Sequence, residues 1–243
     1  MGMDKGILTR SQLLLGDDTM QKLASLRVII FGVGGVGSWC AESLVRSGVG
    51  HLTIVDSDRV CITNINRQAM ATTKTIGQVK VEALRQRLLD INPAADIEAV
   101  QQIFCEDTAG EFALDSYDYI VDAIDSLKDK LLLIEMACRT RAKFFSSMGA
   151  ALKMDPTKVQ VAEFWKVKGC PLARALRQRF NKLKRKPARK FKCVFSEELL
   201  KNRGLDASSD NERVNGSLMH ITAIFGLTIA GLILNEVYHQ VES

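Results

Sequence analysis

Apolar and polar positions fall in blocks along this chain, and the blocks switch period. Arg27 to Phe31 (RVIIF) is a short β-branched apolar run, which predicts a strand buried on both faces. From Val36 to Ser47 the apolar positions Val36, Cys40 and Leu44 recur at helical spacing, and Gly48 closes the segment. His51 to Asp56 (HLTIVD) reads as a second strand, and Lys80 opens the helix KVEALRQRLLDI, which Asn92-Pro93 stops. DIEAVQQIF, from Asp96 to Phe104, alternates as a strand does, and Tyr117 to Asp125 (YDYIVDAID) is a strand ending in acids. Leu127 to Arg141 is helical, and KFFSSMG, from Lys143, is a strand with a small-residue exit. KVQVAEFWKV, from Lys158, alternates in the manner of an antiparallel strand or hairpin. Ahead of all these lies a helical arm, Thr9 to Leu26, with one break at Gly16-Asp17.

Strand and helix alternate through about residue 150, with no internal repeat. This predicts an α/β chain: a Rossmann-like, doubly wound, mostly parallel sheet with helices on both faces. The C-terminal part adds antiparallel strands and a basic insertion. We expect one domain over residues 1–243, with the arm at 1–26, a nucleotide-binding core at 27–150, and an extension at 151–243. A chain of 243 residues is long enough to bury a substantial core.

Charge changes the picture in one place. The net charge is +5, but Lys166 to Lys192 holds twelve Lys or Arg and no Asp or Glu. Without those twelve, 21 basic residues face 28 acidic ones, a net of −7. The chain is an acidic body carrying one basic segment, which fits a polyanionic partner or a solvated basic face. Within it, PLARALRQRFNKL predicts a helix with Leu172, Leu176, Phe180 and Leu183 as its buried stripe. Arg174, Arg177, Lys184, Arg185, Lys186, Arg189 and Lys190 are the candidate nucleic-acid contacts. A polar stretch, Asn202 to Asn215, then precedes the apolar run Leu218 to Leu234. That run is near the lower limit for crossing a bilayer, and His220, Thr222, Thr228, Gly226 and Gly231 interrupt it. A buried core or dimer helix is expected, and a peripheral membrane association stays open.

Cys40, Cys61, Cys105, Cys138, Cys170 and Cys193 show no C-x-x-C pair, so no zinc-type spacing exists. The opening MGMDKGILTR carries charge and no apolar core, so no signal peptide is expected. Free thiols in a reducing cytoplasm follow. Cys170 and Cys193 are candidates for sulfur chemistry by position only; small packing residues are the plainer reading.

The candidate chemistry starts at Gly32, Gly34, Gly35 and Gly37, between the first strand and its helix. A helix N-terminus offers unpaired N–H groups and partial positive charge, and glycines let phosphates approach the backbone. Asp56 ends the second strand, where a carboxylate can take ribose hydroxyls. These features suit a redox dinucleotide and ATP equally. The stretch DSDRVCITNINRQ then supplies Asp56, Asp58, Asn64, Arg67 and Gln68, and Lys80 follows. ATP carries about four negative charges, and departing pyrophosphate develops more, so cations aimed there favour ATP. Asp125, with Ser126 after it, lies where open α/β sheets bind ligands, and could hold Mg²⁺.

These motifs together, GVGGVGSW, VDSDRVCITNINRQ, Lys80 and VDAIDS, resemble the ubiquitin-activating-enzyme-like superfamily of adenylating enzymes. The resemblance implies that Gly32, Gly34, Gly35 and Gly37 line the ATP phosphates and Asp56 takes the ribose. It implies that Asn64, Arg67 and Lys80 contact the triphosphate and that Asp125 serves Mg²⁺ and the adenylation step. Arg10, in LTRSQLLLG, is similar to an arginine that reaches into the neighbouring subunit's site, which implies a homodimer; an ordinary surface charge is the other reading. Members that activate sulfur carriers usually hold two C-x-x-C pairs, which this chain lacks. LTRSQLLLG, VGSWCAESLVRSGVGHLTIVDSD, CITNINRQ, VDAIDS, DPTKVQVA, CPLARALRQR and CVFSEE resemble instead the tRNA threonylcarbamoyladenosine dehydratase family. That resemblance implies ATP-dependent cyclisation of a threonylcarbamoyl group beside the tRNA anticodon. Adenylation of a ubiquitin-like sulfur carrier is the alternative, and a nucleotide-binding platform without chemistry is a third.

Overall fold

The protein is described by a computed structural model covering residues 6–204 and 215–242; most of the polar stretch Asn202 to Asn215 lies outside the described residues. Seven strands form one sheet: β1 Arg27–Phe31, β2 His51–Val55, β3 Asp96–Val100, β4 Tyr119–Asp122, β5 Lys143–Ser147, β6 Val159–Glu163 and β7 Lys192–Ser196. Their spatial order is β3-β2-β1-β4-β5-β7-β6. All neighbours are parallel except β6 and β7, which run antiparallel with Val161 opposite Val194. The fold is therefore the expected Rossmann-like α/β sheet with its antiparallel extension.

The continuous apolar run of β1 has a simple cause. Val28 and Ile30 enter one core while Ile29 and Phe31 enter the other. β4 splits in the same way, with Tyr119 and Val121 against Ile120. A sheet covered on both faces removes the polar half of the alternation. One face is covered by α1 Thr9–Ser25, α2 Gly37–Arg46, α3 Lys80–Ile91 and α6 Met219–Glu242; the other by α4 Leu127–Ala137 and α5 Pro171–Lys182.

Several expected boundaries shift. β3 stops at Val100, and the chain leaves the sheet edge so that Phe104 packs edge-on against Phe31, with ring centroids 4.8 Å apart. β4 stops at Asp122, so Asp125 sits in the following loop and Asp122 is the strand's terminal acid. α4 ends at Ala137 rather than Arg141. In α5 the buried stripe is Ala173, Leu176 and Phe180; Leu172 is only partly covered. Leu183 is exposed because the helix ends before it and Lys184 turns the backbone at φ 53°. The arm breaks at Gly16 as expected, with φ 77° and ψ 166°. Cys170 and Cys193 are both buried, as packing residues are.

Among the described residues, α6 is the one helix long and apolar enough to cross a membrane by length and composition. It lies against α2 in the core. A Cβ on Gly226 would stand 2.3 Å from the Val36 carbonyl oxygen, so the two backbones approach as only glycine permits.

Candidate active site

The strand order reverses between β1 and β4, and open sheets leave a crevice at such a point. A cavity of about 710 Å³ opens there. Its walls bring together Gly32, Gly34, Gly35, Asp56, Asp58, Asn64, Arg67, Gln68, Lys80, Asp125 and Ser126. Residues distant in sequence thus meet because their connections leave the same edge of the sheet.

The glycines divide in role. Gly32 has φ +84°, and a Cβ there would lie 2.7 Å from the Ala123 carbonyl oxygen. Gly34 and Gly35 face the cavity. Gly37, also expected to line phosphates, is not among the residues on the cavity wall: a Cβ on it would stand 1.9 Å from the Gly32 carbonyl oxygen, so its place is in closing the turn.

Asp56 accepts hydrogen bonds from the Val33 N–H and the Asp58 N–H, both at 2.9 Å, which ties the glycine turn to the end of β2. Each oxygen keeps a further lone pair for a ligand hydroxyl. Asn64 is buried, and its Oδ1 accepts from the Cys61 N–H at 3.0 Å, folding the NINRQ segment into a compact turn. Arg67 donates from Nη1 to the Thr63 carbonyl at 2.8 Å and to Asn66 Oδ1 at 2.9 Å. Lys80 begins α3 with its side chain 8% exposed, and its Nζ lies 2.7 Å from Asp58 Oδ2. The Oε1 of buried Gln68 has no hydrogen-bond partner, an acceptor left open on the cavity wall.

Two supports escape sequence reasoning. Ser38 is buried; its hydroxyl donates to the Gly34 carbonyl at 2.6 Å and accepts from the Ala69 N–H at 3.1 Å. The Trp39 indole N–H donates to the Arg67 carbonyl at 2.9 Å. The first turn of α2 therefore fastens the Arg67 turn to the glycine turn. Their only signal was the SW that follows the last glycine, which carries no periodicity of its own.

Charge in the cavity is lopsided. Arg67 and Lys80 face Asp56, Asp58, Asp125 and Asp129. With four carboxylates against two cations, this lining leaves room for a divalent cation beside a polyphosphate. Among the described residues no three metal-ligating side chains cluster. Mg²⁺ characteristically takes one or two carboxylates and completes its shell with phosphate oxygens and water, so Asp125 with a bound triphosphate fits that ion.

The far half of the cavity has a different lining: Ser147 to Ala151, Leu172, Asn215, Ser217 and Thr222. Leu172 belongs to α5, so the cavity opens beside the basic segment. On that segment Arg174, Lys184, Arg185, Lys186 and Lys190 are exposed. Arg177 and Arg189 are not free in the same way. Arg177 donates to the Phe164 carbonyl at 3.0 Å, and Arg189 donates to the Ala137 and Ala142 carbonyls. Arg10 is exposed on α1 and lies outside this cavity's lining.

Fold and site together define a nucleotide-binding α/β protein whose cleft sets two cations and an acidic loop around a phosphate-binding turn. The chain belongs to the ThiF family, whose model matches residues 8–242. It is 33% identical to the tRNA threonylcarbamoyladenosine dehydratase of Bacillus subtilis, over 96% of this chain and 95% of that protein. It is 36% identical to the enzyme of that name from Escherichia coli, over 77% of this chain and 72% of the other. The crystal structure of the E. coli enzyme in complex with ATP superimposes with a TM-score of 0.87, at 32% identity, covering 97% of this chain and 95% of that one.

Proposed function

We propose that this chain is an ATP-dependent enzyme that cyclises the threonylcarbamoyl group of threonylcarbamoyladenosine in tRNA. The observation that carries the reading is the meeting of Arg67, Lys80 and Asp125 with the glycine turn in one cleft. That cleft belongs to a chain similar over 96% of its length to a dehydratase of this name.

A carboxylate is a poor electrophile because its leaving group would be oxide. In the proposed reaction a carboxylate oxygen of the substrate attacks the α-phosphorus of ATP and pyrophosphate leaves. The acyl-adenylate that results exchanges oxide for AMP as the leaving group. The carbamoyl group of the same side chain then closes on the acyl carbon, and AMP departs. Ring closure within one side chain gains from high effective molarity, so no protein nucleophile is required. The buried state of Cys170 and Cys193 agrees with that.

Each residue has a task in this scheme. Gly34 and Gly35 offer the turn's N–H groups to phosphate, Gly32, whose own N–H is held by the Val55 carbonyl at 2.8 Å, lets the backbone turn beneath them, and Asp56 receives ribose hydroxyls. Arg67 and Lys80 stabilise charge on the departing pyrophosphate; Lys80 turns to it from Asp58. Asn64 and Gln68 complete the triphosphate contacts, and Asp125, beside Ser126, would hold Mg²⁺, which would supply positive charge to offset the phosphates. The exposed cations of α5 and the loop after it hold the RNA. We assign the enzyme to the cytoplasm as a homodimer, with Arg10 reaching the neighbouring subunit's cleft. The exposure of Leu13 and Leu14 on the same arm, at 82% and 79%, supports a partner there.

The test is mass spectrometry of tRNA nucleosides after incubation with the protein, ATP and threonylcarbamoyladenosine-containing tRNA. Loss of one water from the modified nucleoside, with AMP and pyrophosphate formed, is expected. Pyrophosphate exchange driven by a ubiquitin-like carrier and not by tRNA would move the assignment to sulfur-carrier adenylation. No ATP turnover with either would leave a nucleotide-binding platform.

A further inference from the structure

Lys130 is the only lysine among the described residues with a fully buried side chain, and it touches neither the cavity nor solvent. Its Nζ lies 2.8 Å from Asp122 Oδ2, whose side chain is equally buried. The same Nζ donates to the Ile124 carbonyl at 2.8 Å. Asp122 Oδ1 accepts from the Ile124 N–H at 3.1 Å, and Ser146 donates to Asp122 Oδ2 at 2.6 Å. Both backbone groups of Ile124 are thus gripped by one ion pair, and the next residue is Asp125. Ser126 then caps α4, the helix on which Lys130 sits.

We infer that Lys130 is a positioning residue for Asp125. The cost of burying two charges is poorly recovered as stability alone, since a well-packed apolar pair often does as well. A lysine reaching back from the first turns of α4 to the Ile124 carbonyl fixes the path of the loop at the end of β4. That path sets where the Asp125 carboxylate meets the phosphates and their cation. The inference rests on the proposed role of Asp125 in adenylation.

The experiment compares Lys130→Met with the double variant Asp122→Asn/Lys130→Met. The single variant strands a buried carboxylate and should lower Tm sharply. In the double variant the amide still accepts from the Ile124 N–H, so Tm should return towards wild type. Its kcat for cyclisation should stay on the order of 10²-fold low, as misplaced reacting groups give. Calorimetry of ATP binding with and without Mg²⁺ gives a second readout: metal-free affinity is retained and the gain from Mg²⁺ is lost. Recovery of kcat together with Tm, an undiminished gain from Mg²⁺, or a double variant as poorly folded as the single one would each overturn the inference. If wild-type protein fails to cyclise the tRNA, the proposed function falls, while the binding measurement still decides the role of Lys130.

Discussion

Gly34 and Gly37 sit in one turn and answer to different constraints. A methyl group on Gly37 would strike the Gly32 carbonyl oxygen at 1.9 Å, and both atoms belong to backbone that cannot move aside. Gly37→Ala should lower stability by about 1–3 kcal/mol or more, as overpacking does, seen as a drop in Tm. On Gly34 the added group meets only Gln68 Nε2 at 3.7 Å, ordinary contact distance. Gly34→Ala should keep Tm and weaken ATP binding measured by calorimetry. Arg67→Ala should cut kcat by roughly 10²–10³, the usual effect of removing a donor aimed at developing charge, with pyrophosphate release as the assay. Lys80→Ala should do the same and also lower Tm, because its side chain is 8% exposed and truncation removes buried stem packing, while Asp58, 64% exposed, stays solvated without its partner. Gly32, Gly34, Gly35, Asp56, Arg67 and Lys80 stood out in the sequence because each lies in a short motif at a strand end, a turn or a helix start, and the sheet then gathers those motifs at one edge. Lys130 did not. In SLKDKLLLI it stands beside Lys128, which is 72% exposed, and only the sheet behind α4 decides which lysine turns inward.

At the scale of elements, boundaries were least legible where the local pattern continued past its partner. QQIF extends the alternation of β3, but β3 is the edge strand, and the core offers Phe104 a place against Phe31 and Phe112. The charged link between α2 and α3 was equally hidden, since it runs through one buried acid. Glu42 on α2 accepts from Arg46 Nε and Arg87 Nε, at 2.9 and 2.7 Å, the latter reaching across from α3. Burial alone would raise the Glu42 carboxyl, but the bonds and charge of Arg87 and Arg46 outweigh it and hold it below the ordinary value. The sign follows: a lowered folded pKa stabilises the protein above the unfolded value, about 4.3, and the benefit is lost as pH falls through the folded value. Glu42→Gln should therefore lower Tm at pH 7 and flatten the fall of Tm below about pH 4.3. A wild-type slope retained in that variant would remove Glu42 from the acid response.

The whole molecule joins a negative cleft to a basic ridge, and Leu172 is where the two meet. Charge counting located the ridge but could not sort its cations, because structural and free arginines look alike in sequence. Arg177 and Arg189 are spent on backbone carbonyls, and Arg185 leans on Glu135 at 3.4 Å. Lys184, Lys186 and Lys190 are exposed. Removing one cation that neutralises a phosphate should reduce the salt slope of RNA binding by about 0.7–0.9. Lys184→Gln/Lys186→Gln/Lys190→Gln should therefore weaken tRNA binding at low salt and flatten log K against log salt by about 2–3, with Tm unchanged. Arg177→Gln/Arg189→Gln should show the reverse, a lower Tm with the slope nearly intact, because those guanidinium groups tie α5 and its loop to the Phe164, Ala137 and Ala142 carbonyls. Filter binding of tRNA across a salt series, run beside thermal melts, separates the two sets. If the triple lysine variant keeps the full slope, the RNA lies on another face, and the opening beside Leu172 is not where the anticodon arm arrives.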